Sequence, residues 1–194
     1  MKPLPRRAVL MSSLLTAAGL AACASPDPVL FTLAPVPGAP VPGAPRSVVL
    51  REIGLARYLD RPQIVRATED YQLDVAQNDW WGEPLGRMIG RILIADLAAR
   101  LPASLIVAES GALSAQQADA TVEVNILAFA TDRAGAVQLS AQIAVIHRTP
   151  KPDRRSRALD LSEPVARPDV KSQVAAMSIA LGRLADAVAE MLRR

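Results

Sequence analysis

Residues 120–146 read ATVEVNILAFATDRAGAVQLSAQIAVI and contain the strongest strand pattern in the chain. Apolar and polar residues alternate through 120–130 and again through 136–146, and the segment between them, Asp132 to Gly135, has turn-forming residues. Alternation of this kind is typical of antiparallel strands that place one face on the core. The stretch therefore predicts a β-hairpin with one buried face.

A helix pattern precedes this hairpin. Apolar residues recur at helical spacing across residues 85–101, and Arg100 lies outside the apolar face. Asn78 or Asp79 is a suitable N-cap, and Pro84 is tolerated in a first turn. We therefore expect the segment that contains the two tryptophans to open this helix.

A second helix pattern ends the chain. It begins at Pro168-Asp169, and its apolar residues step by four and three positions in turn from Val170 to Met191. The spacing fits a helix packed on a sheet, which we favour, and also a coiled-coil or oligomer seam. With shorter strand patterns elsewhere, we predict a single mixed α/β (α+β-like) domain, in which two long helices pack on a mixed, largely antiparallel sheet. These strand patterns lie at 47–53, 64–67, 71–75, 105–107 and 157–161.

Residues 1–22 are typical of a bacterial lipoprotein signal peptide. A short basic start precedes the apolar run 8–20, which is too short to span a bilayer as a stable helix. The run ends in Leu20-Ala21-Ala22-Cys23, and Cys23 is the only cysteine in the chain. We predict cleavage before Cys23, a covalent lipid on its thiol and a location in the outer membrane. More than one acyl chain is needed for a stable anchor.

Residues 23–46 are predicted to be a lipid-anchored, proline-rich tether, and residues 47–194 the folded domain. The tether contains the direct repeat Pro-Val-Pro-Gly-Ala at 35–39 and 40–44. Proline lacks the backbone N–H that helices and central strands need. We expect a semi-extended spacer that rises by ~3.1 Å per residue where ordered, so that about thirteen residues of it reach about 40 Å from the bilayer.

Charge and motif content argue against several classes of function. Lys2, Arg6 and Arg7 precede Cys23 and no acidic residue does, so the 22 basic residues fall to 19 after cleavage, equal to the 19 acidic ones. A neutral domain lacks the concentrated basic face that nucleic-acid binding requires. His147 is the only histidine, and no catalytic or metal-binding motif is evident. We predict a protein that is not an enzyme and that carries no cofactor besides the lipid on Cys23.

Two short segments are candidates for partner binding. Trp80 and Trp81 are the only tryptophans, and paired aromatics are favoured in protein interfaces. The alternative is that one of them packs under the start of the helix. Tyr58, Asp60 and Arg61 form the second candidate, because a loop made rigid by the following proline would present an aromatic and both charges.

The same segments carry a resemblance to a known family. Tyr58-Leu-Asp-Arg-Pro-Gln-Ile-Val65, Asn78-Asp-Trp-Trp-Gly-Glu-Pro-Leu85 and Cys23 after a signal together resemble the PqiC (YmbA-type) family of transport auxiliary lipoproteins. The resemblance covers roughly residues 29–194. The family pattern after the tryptophan is usually Ala-Glu-Pro-Leu, whereas here Trp81-Gly82 precedes Glu83.

The resemblance implies an outer-membrane lipoprotein that faces the periplasm. It would be a docking or auxiliary subunit for an inner-membrane protein with MCE domains, in an ABC-type system that moves lipids or maintains membrane integrity. A homo-oligomer is compatible with this role. A structural or assembly lipoprotein for an outer-membrane machine is the alternative function.

Overall fold

The computed structural model of the chain describes residues 27–69, 71–110, 117–148 and 153–193, so the predicted signal peptide and Cys23 lie outside the described residues. No helix in these ranges combines the length and apolar character of a membrane span. The elements are, in chain order, β1 (Val29–Phe31), β2 (Ser47–Leu50), β3 (Gly54–Leu55), β4 (Gln63–Glu69), β5 (Gln72–Trp81), α1 (Leu85–Arg100), β6 (Leu105–Ala108), β7 (Ala120–Thr131), β8 (Ala136–His147), β9 (Asp153–Pro164) and α2 (Val170–Leu192).

The predicted hairpin is present as β7 and β8, and it forms the long antiparallel centre of the sheet. Asp132 closes the turn by accepting a hydrogen bond from the Ala136 N–H at 3.0 Å, and Gly135 adopts a φ of 75° that favours glycine. A register shift between Ile126 and Ala128 changes the alternation, so that Phe129 is buried. The third strand, β9, is longer than the sequence pattern indicated.

Within the described residues the sheet has nine strands and is mixed, which confirms the predicted fold class. On one side of β7, β8 and β9 continue the antiparallel ladder. On its other side, β7 pairs in parallel with three short strands in succession, β2, β3 and β4. Beyond these lie β6 next to β2, and β5 followed by β1 next to β4. The long ladders are antiparallel, and the parallel pairs are short.

The two helices and the sheet share one hydrophobic core. Helix α2 contacts β7, β8 and β9, and α1 contacts β6 and α2. Asp169 caps α2 by accepting a hydrogen bond from the Ser172 N–H at 2.7 Å. Residues along the apolar seam of α2 are buried, in agreement with a helix that packs on the sheet: Val174, Met177, Leu181, Leu184 and Val188.

The predicted start of the first helix is wrong. The segment from Asn78 to Trp81 is the last part of β5, and α1 begins at Leu85 after Pro84, whose side chain makes no capping hydrogen bond. Backbone pairing explains the difference: the Trp81 N–H donates to the carbonyl of Pro62, and β1 pairs with the same residues from the other side. The polar residues that resembled an N-cap therefore belong to a strand.

The described part of the proline-rich segment differs from the predicted spacer. Residues 32–45, which we call the strap, run from β1 to β2 across α1 and α2 without regular secondary structure. Leu33 is buried in the core, and the Ala34 N–H donates to the Ser178 hydroxyl on α2 at 3.1 Å. Packing on the helices thus holds a segment whose composition indicated an extended linker.

Candidate functional site

The two sequence segments proposed for partner binding lie side by side. Strands β4 and β5 are antiparallel neighbours, with Gln63 opposite Trp80. The carbonyl of Pro62 accepts a hydrogen bond from the Trp81 N–H at 2.7 Å, which joins the end of the loop to the tryptophan pair. The fold therefore brings both motifs onto one part of the surface.

The two tryptophans have different environments. Trp81 is only 5% exposed and belongs to the core, where its β1 neighbour is Phe31. Trp80 is half-buried, and its indole N–H donates to the carbonyl of Gln77 at 3.1 Å. Successive residues of a strand point to opposite faces of the sheet, which accounts for the difference. Of the pair, Trp80 is the residue that a partner can reach.

The Tyr58–Pro62 loop is anchored at its middle by Leu59, which is buried. Tyr58 is half-buried; burial raises the pKa of its hydroxyl, and a hydrogen bond with the backbone of Phe129 opposes the rise. Asp60 is exposed, and Arg61 is partly buried with its Nε atom lacking a hydrogen-bond partner. The loop is thus a fixed surface in which Asp60 is the most accessible charge.

A groove of about 1020 Å³ adjoins this loop, along the outer side of α1. We call it the α1 groove. Its floor is apolar, with Ile53, Leu55 and Ile94, and the helix presents two glycines, Gly86 and Gly90, that leave room above this floor. Its rim is charged, with both signs present, and includes Asp60, Glu83, Arg87 and Arg91. Such a surface is suited to binding an apolar group beneath a polar rim.

One ion pair orders the rim where the groove meets β1. Arg91 donates to Glu83 at 2.6 Å, and it also reaches the Thr32 hydroxyl at 3.5 Å. A surface pair of this kind contributes little to stability. Its effect is local, because it fixes the side chains that flank the entrance to the groove.

A second cavity, of about 760 Å³, lies on the face of the sheet that the helices leave open. Its ion pairs join Arg51 to Glu123 at 2.8 Å and Arg154 to the same glutamate at 3.1 Å. Its lining contains both arginines and glutamates, which gives the cavity no strong charge of one sign.

Two buried charged residues on α1 were missed by the sequence analysis. Arg100 was placed outside the buried face and Asp96 was not considered, yet each is 1% exposed. Asp96 Oδ1 accepts from the Val36 N–H at 2.7 Å, and Arg100 donates to the carbonyls of Val36 and Gly182 at 3.0 and 2.9 Å. Both charges therefore bind the strap, which explains their burial.

The Asp96 carboxyl is not fully compensated. Burial raises its pKa above the usual aspartate value, while the hydrogen bond from Val36 and the charge of Arg100 lower it in part. Its Oδ2 atom has no hydrogen-bond partner. Arg100 forms an ion pair with Asp186 of α2, whose side chain is partly exposed. The sequence does contain a sign of this burial, because Asp96 and Arg100 lie next to the apolar face of the helix.

No group of three or more histidine, cysteine, aspartate or glutamate residues in the described part of the chain has an arrangement that could hold a metal ion. His147 is buried against α2, with its Nε2 atom 3.4 Å from the carbonyl of Met191. In the described part of the chain, His147 is therefore packed inside the fold between β8 and α2.

Comparisons with known proteins agree with the fold. A crystal structure of an uncharacterized protein superposes with a TM-score of 0.67 at 22% identity, covering 86% of this chain and 99% of its own. A crystal structure of a protein from Xanthomonas campestris gives a TM-score of 0.66 at 19% identity, covering 84% and 95%. At these identities the likeness shows the fold alone.

No curated protein sequence matches the chain. A family model does match it, over residues 31–189, and its description is ABC-type transport auxiliary lipoprotein component. The matched range includes the strap, both motifs, the α1 groove and most of α2. The chain therefore belongs to the family of ABC-type transport auxiliary lipoprotein components.

Proposed function

We propose that this protein is a non-catalytic docking subunit of an ABC-type system that moves lipids between membranes. In this proposal it is an outer-membrane lipoprotein of the PqiC type that faces the periplasm, and its partner is an inner-membrane protein with MCE domains. Membership of the auxiliary lipoprotein family supports the auxiliary role. The motifs that resemble the PqiC type support the choice of partner.

One observation carries the proposal of docking. The loop Tyr58–Pro62 and the tryptophan segment, which are separate in sequence, meet beside the α1 groove. Asp60 contributes to the rim of this groove, and its floor is apolar. A charged rim around an apolar floor is the usual composition of a surface that binds another protein. Tyr58, Asp60, Arg61 and Trp80 remain candidates for contact with the partner, and Trp81 supports them from the core.

The experiment is recovery of the native complex after filling the groove. The full chain, tagged at its C-terminus, would be purified from cross-linked envelopes with Gly90→Leu and, as the matched control on the same helix, Ala95→Leu. A Cβ atom at Gly90 would meet only Ile53, at 3.6 Å, which is ordinary van der Waals contact. Gly90 lines the groove, so the leucine adds bulk there, whereas Ala95 is exposed outside the groove lining.

We expect the unmodified chain and Ala95→Leu to recover an MCE-domain protein or another transporter component, identified by mass spectrometry. Gly90→Leu should recover much less of it, with an unchanged melting temperature. Equal recovery from all three proteins would show that the partner does not dock in the α1 groove. Recovery of no transporter component would overturn the proposal. Loss of one outer-membrane protein in a deletion strain, with unchanged lipid composition, would favour the assembly role instead.

A further inference from the structure

The position of the strap limits how far the domain can stand from its anchor. Because β1 is paired with β5 and residues 32–45 are bound to α1 and α2, only the residues before β1 can link the domain to its anchor. Six peptide steps separate Cys23 from Val29, and a fully extended chain spans at most ~3.6 Å per residue, about 20 Å in total. This distance is only half of the reach that the free spacer would have allowed.

The surface nearest to the anchor is apolar. In β1, the side chains of Val29 and Leu30 are 55% and 63% exposed, although both are large hydrophobic residues. Leu30 is the register partner of Trp80, so the two side chains lie on the same face of the sheet. Within the described residues β1 pairs with β5 alone, which leaves its other edge open. We call Val29, Leu30 and Trp80 the β1 edge.

The chemistry of the β1 edge fits a lipid surface. Tryptophan favours the boundary between headgroups and acyl chains, because its ring is apolar while its N–H is polar. Charged residues of both signs flank this edge: Asp27 and Asp79 are acidic, while Arg61 and the Arg91–Glu83 pair lie close by. No strong charge of one sign faces the lipid, so the attraction would be apolar and would depend little on salt.

We propose that the β1 edge rests on the bilayer when the protein is anchored, with Leu30 and Trp80 at the depth of the lipid headgroups. The proposal rests on the lipid anchor at Cys23 that is part of the proposed function. The short link from Cys23 and the pairing of β1 with β5 hold this edge near the membrane. In the anchored protein Trp80 then contacts lipid, and the partner contacts are left to the α1 groove with Tyr58, Asp60 and Arg61.

The test is quenching of tryptophan emission by brominated lipids. Lipidated full-length protein, purified from membranes in detergent, would be reconstituted into phosphatidylcholine vesicles with and without bromine on the acyl chains. The unmodified protein has two tryptophans, and Trp80→Phe retains only the buried Trp81. Trp80 lies at the surface, so this variant avoids a change in the core.

We expect brominated vesicles to remove most of the Trp80 contribution, and to leave the emission of Trp80→Phe unchanged. Leu30→Asp should weaken the quenching while the protein still floats with the vesicles, and quenching should persist in high salt. Flotation without quenching of Trp80 would overturn the membrane contact and leave the lipid anchor intact. Protein that carries no lipid and fails to float would overturn both the anchor and the proposal.

Discussion

Trp80 and Trp81 show how strongly one step along a strand changes the role of a residue. The first is half-buried at the edge of the sheet, and the second is part of the core. Asp96 and Arg100 show a related effect on a helix, since each is buried because the strap covers it. At this scale, the sequence pattern singled out the two tryptophans but not the buried charges, and it could not assign any of these environments, because they depend on segments distant in the chain.

Substitution of the tryptophans should separate packing from docking. Trp81→Ala removes a buried aromatic and should lower the free energy of unfolding by about 3–5 kcal/mol. Trp80→Ala removes a half-buried ring and should cost clearly less. Urea denaturation followed by circular dichroism measures both. Equal losses would mean that Trp80 is also a core residue, and would count against its role at the surface.

Asp96 should make stability depend on pH. Because burial raises its pKa in the folded state, the folded protein holds this proton more tightly than the unfolded chain. The contribution is fully present below the unfolded pKa, near 3.8, and is lost as pH rises through the folded pKa. Asp96→Asn retains an acceptor for the Val36 N–H. It should abolish this contribution to the slope of the unfolding free energy against pH.

Asp132 provides a control with the opposite sign. A hydrogen bond from the Ala136 N–H lowers the pKa of its carboxyl. Its stabilising effect is present above the unfolded pKa and is lost as pH falls through the folded one. Urea denaturation at a series of pH values from acid to neutral gives the unfolding free energy as a function of pH. Asp96→Asn and Asp132→Asn should change the slope of this curve in opposite directions. Changes of the same sign would contradict the uncompensated burial of Asp96.

The elements of the fold differ in how far the sequence predicts them. The β7–β8 hairpin is local, and its alternation is interrupted only by the register shift after Ile126, so both strands and their turn could be predicted. The parallel pairs of β2, β3 and β4 with β7 join distant residues through short strands, and such pairing leaves little local signal. The strap differs from the predicted spacer because proline content indicates only which backbone conformations are allowed. It does not show that Leu33 packs in the core or that Val36 packs against α2.

The repeat in the strap serves a different purpose in each copy. A Cβ atom at Gly38 would lie 2.3 Å from Cζ of Arg100, so the chain passes directly over the guanidinium. Gly43 instead adopts a φ of 80°, in the region that favours glycine. The Val41 N–H in the second copy donates to the carbonyl of Arg100 at 2.7 Å. Both copies thus bind the end of α1, one through a side chain and one through the backbone.

A double-mutant cycle tests the contact between strap and helix. Gly38→Ala should destabilise the protein by about 1–3 kcal/mol, because the bound guanidinium must move. The same change should cost little in an Arg100→Ala background, which gives a coupling energy of about 1 kcal/mol or more. Gly86→Ala is the control, since its Cβ would lie 3.8 Å from the nearest atom. Additive losses in unfolding free energy would show that the strap does not cover Arg100.

At the scale of the whole molecule, the predicted anchor leads directly into β1, and the strap that follows β1 is bound to both helices. The anchor itself lies outside the described residues, so lipidation of Cys23 stays a prediction. The candidate site lies in the same region, because the strap, the Trp80 segment and the α1 groove adjoin one another around β1 and α1. The sequence could name the two motifs of the site, but their meeting follows from strand pairing that the sequence pattern did not reveal.

Removal of the lipid acceptor should separate attachment from folding. Cys23→Ala should leave the protein without lipid and free of the membrane fraction. Its melting temperature should match that of the unmodified domain, because Cys23 precedes all the helices and strands in the part of the chain that the structure describes. Mass spectrometry and fractionation measure the first effect, and thermal denaturation measures the second. A variant that stays with the membrane would show that another segment attaches the protein.

The bond from the Ala34 N–H to the Ser178 hydroxyl joins residues 144 positions apart, near the two ends of the folded chain. The contacts of the strap with α2 therefore cannot form until the last helix has been synthesised, although its contacts with α1 involve residues made earlier. Until then Leu33, Asp96 and Arg100 lack part of their final surroundings. The order of synthesis thus delays completion of the core until the C-terminal helix has been made.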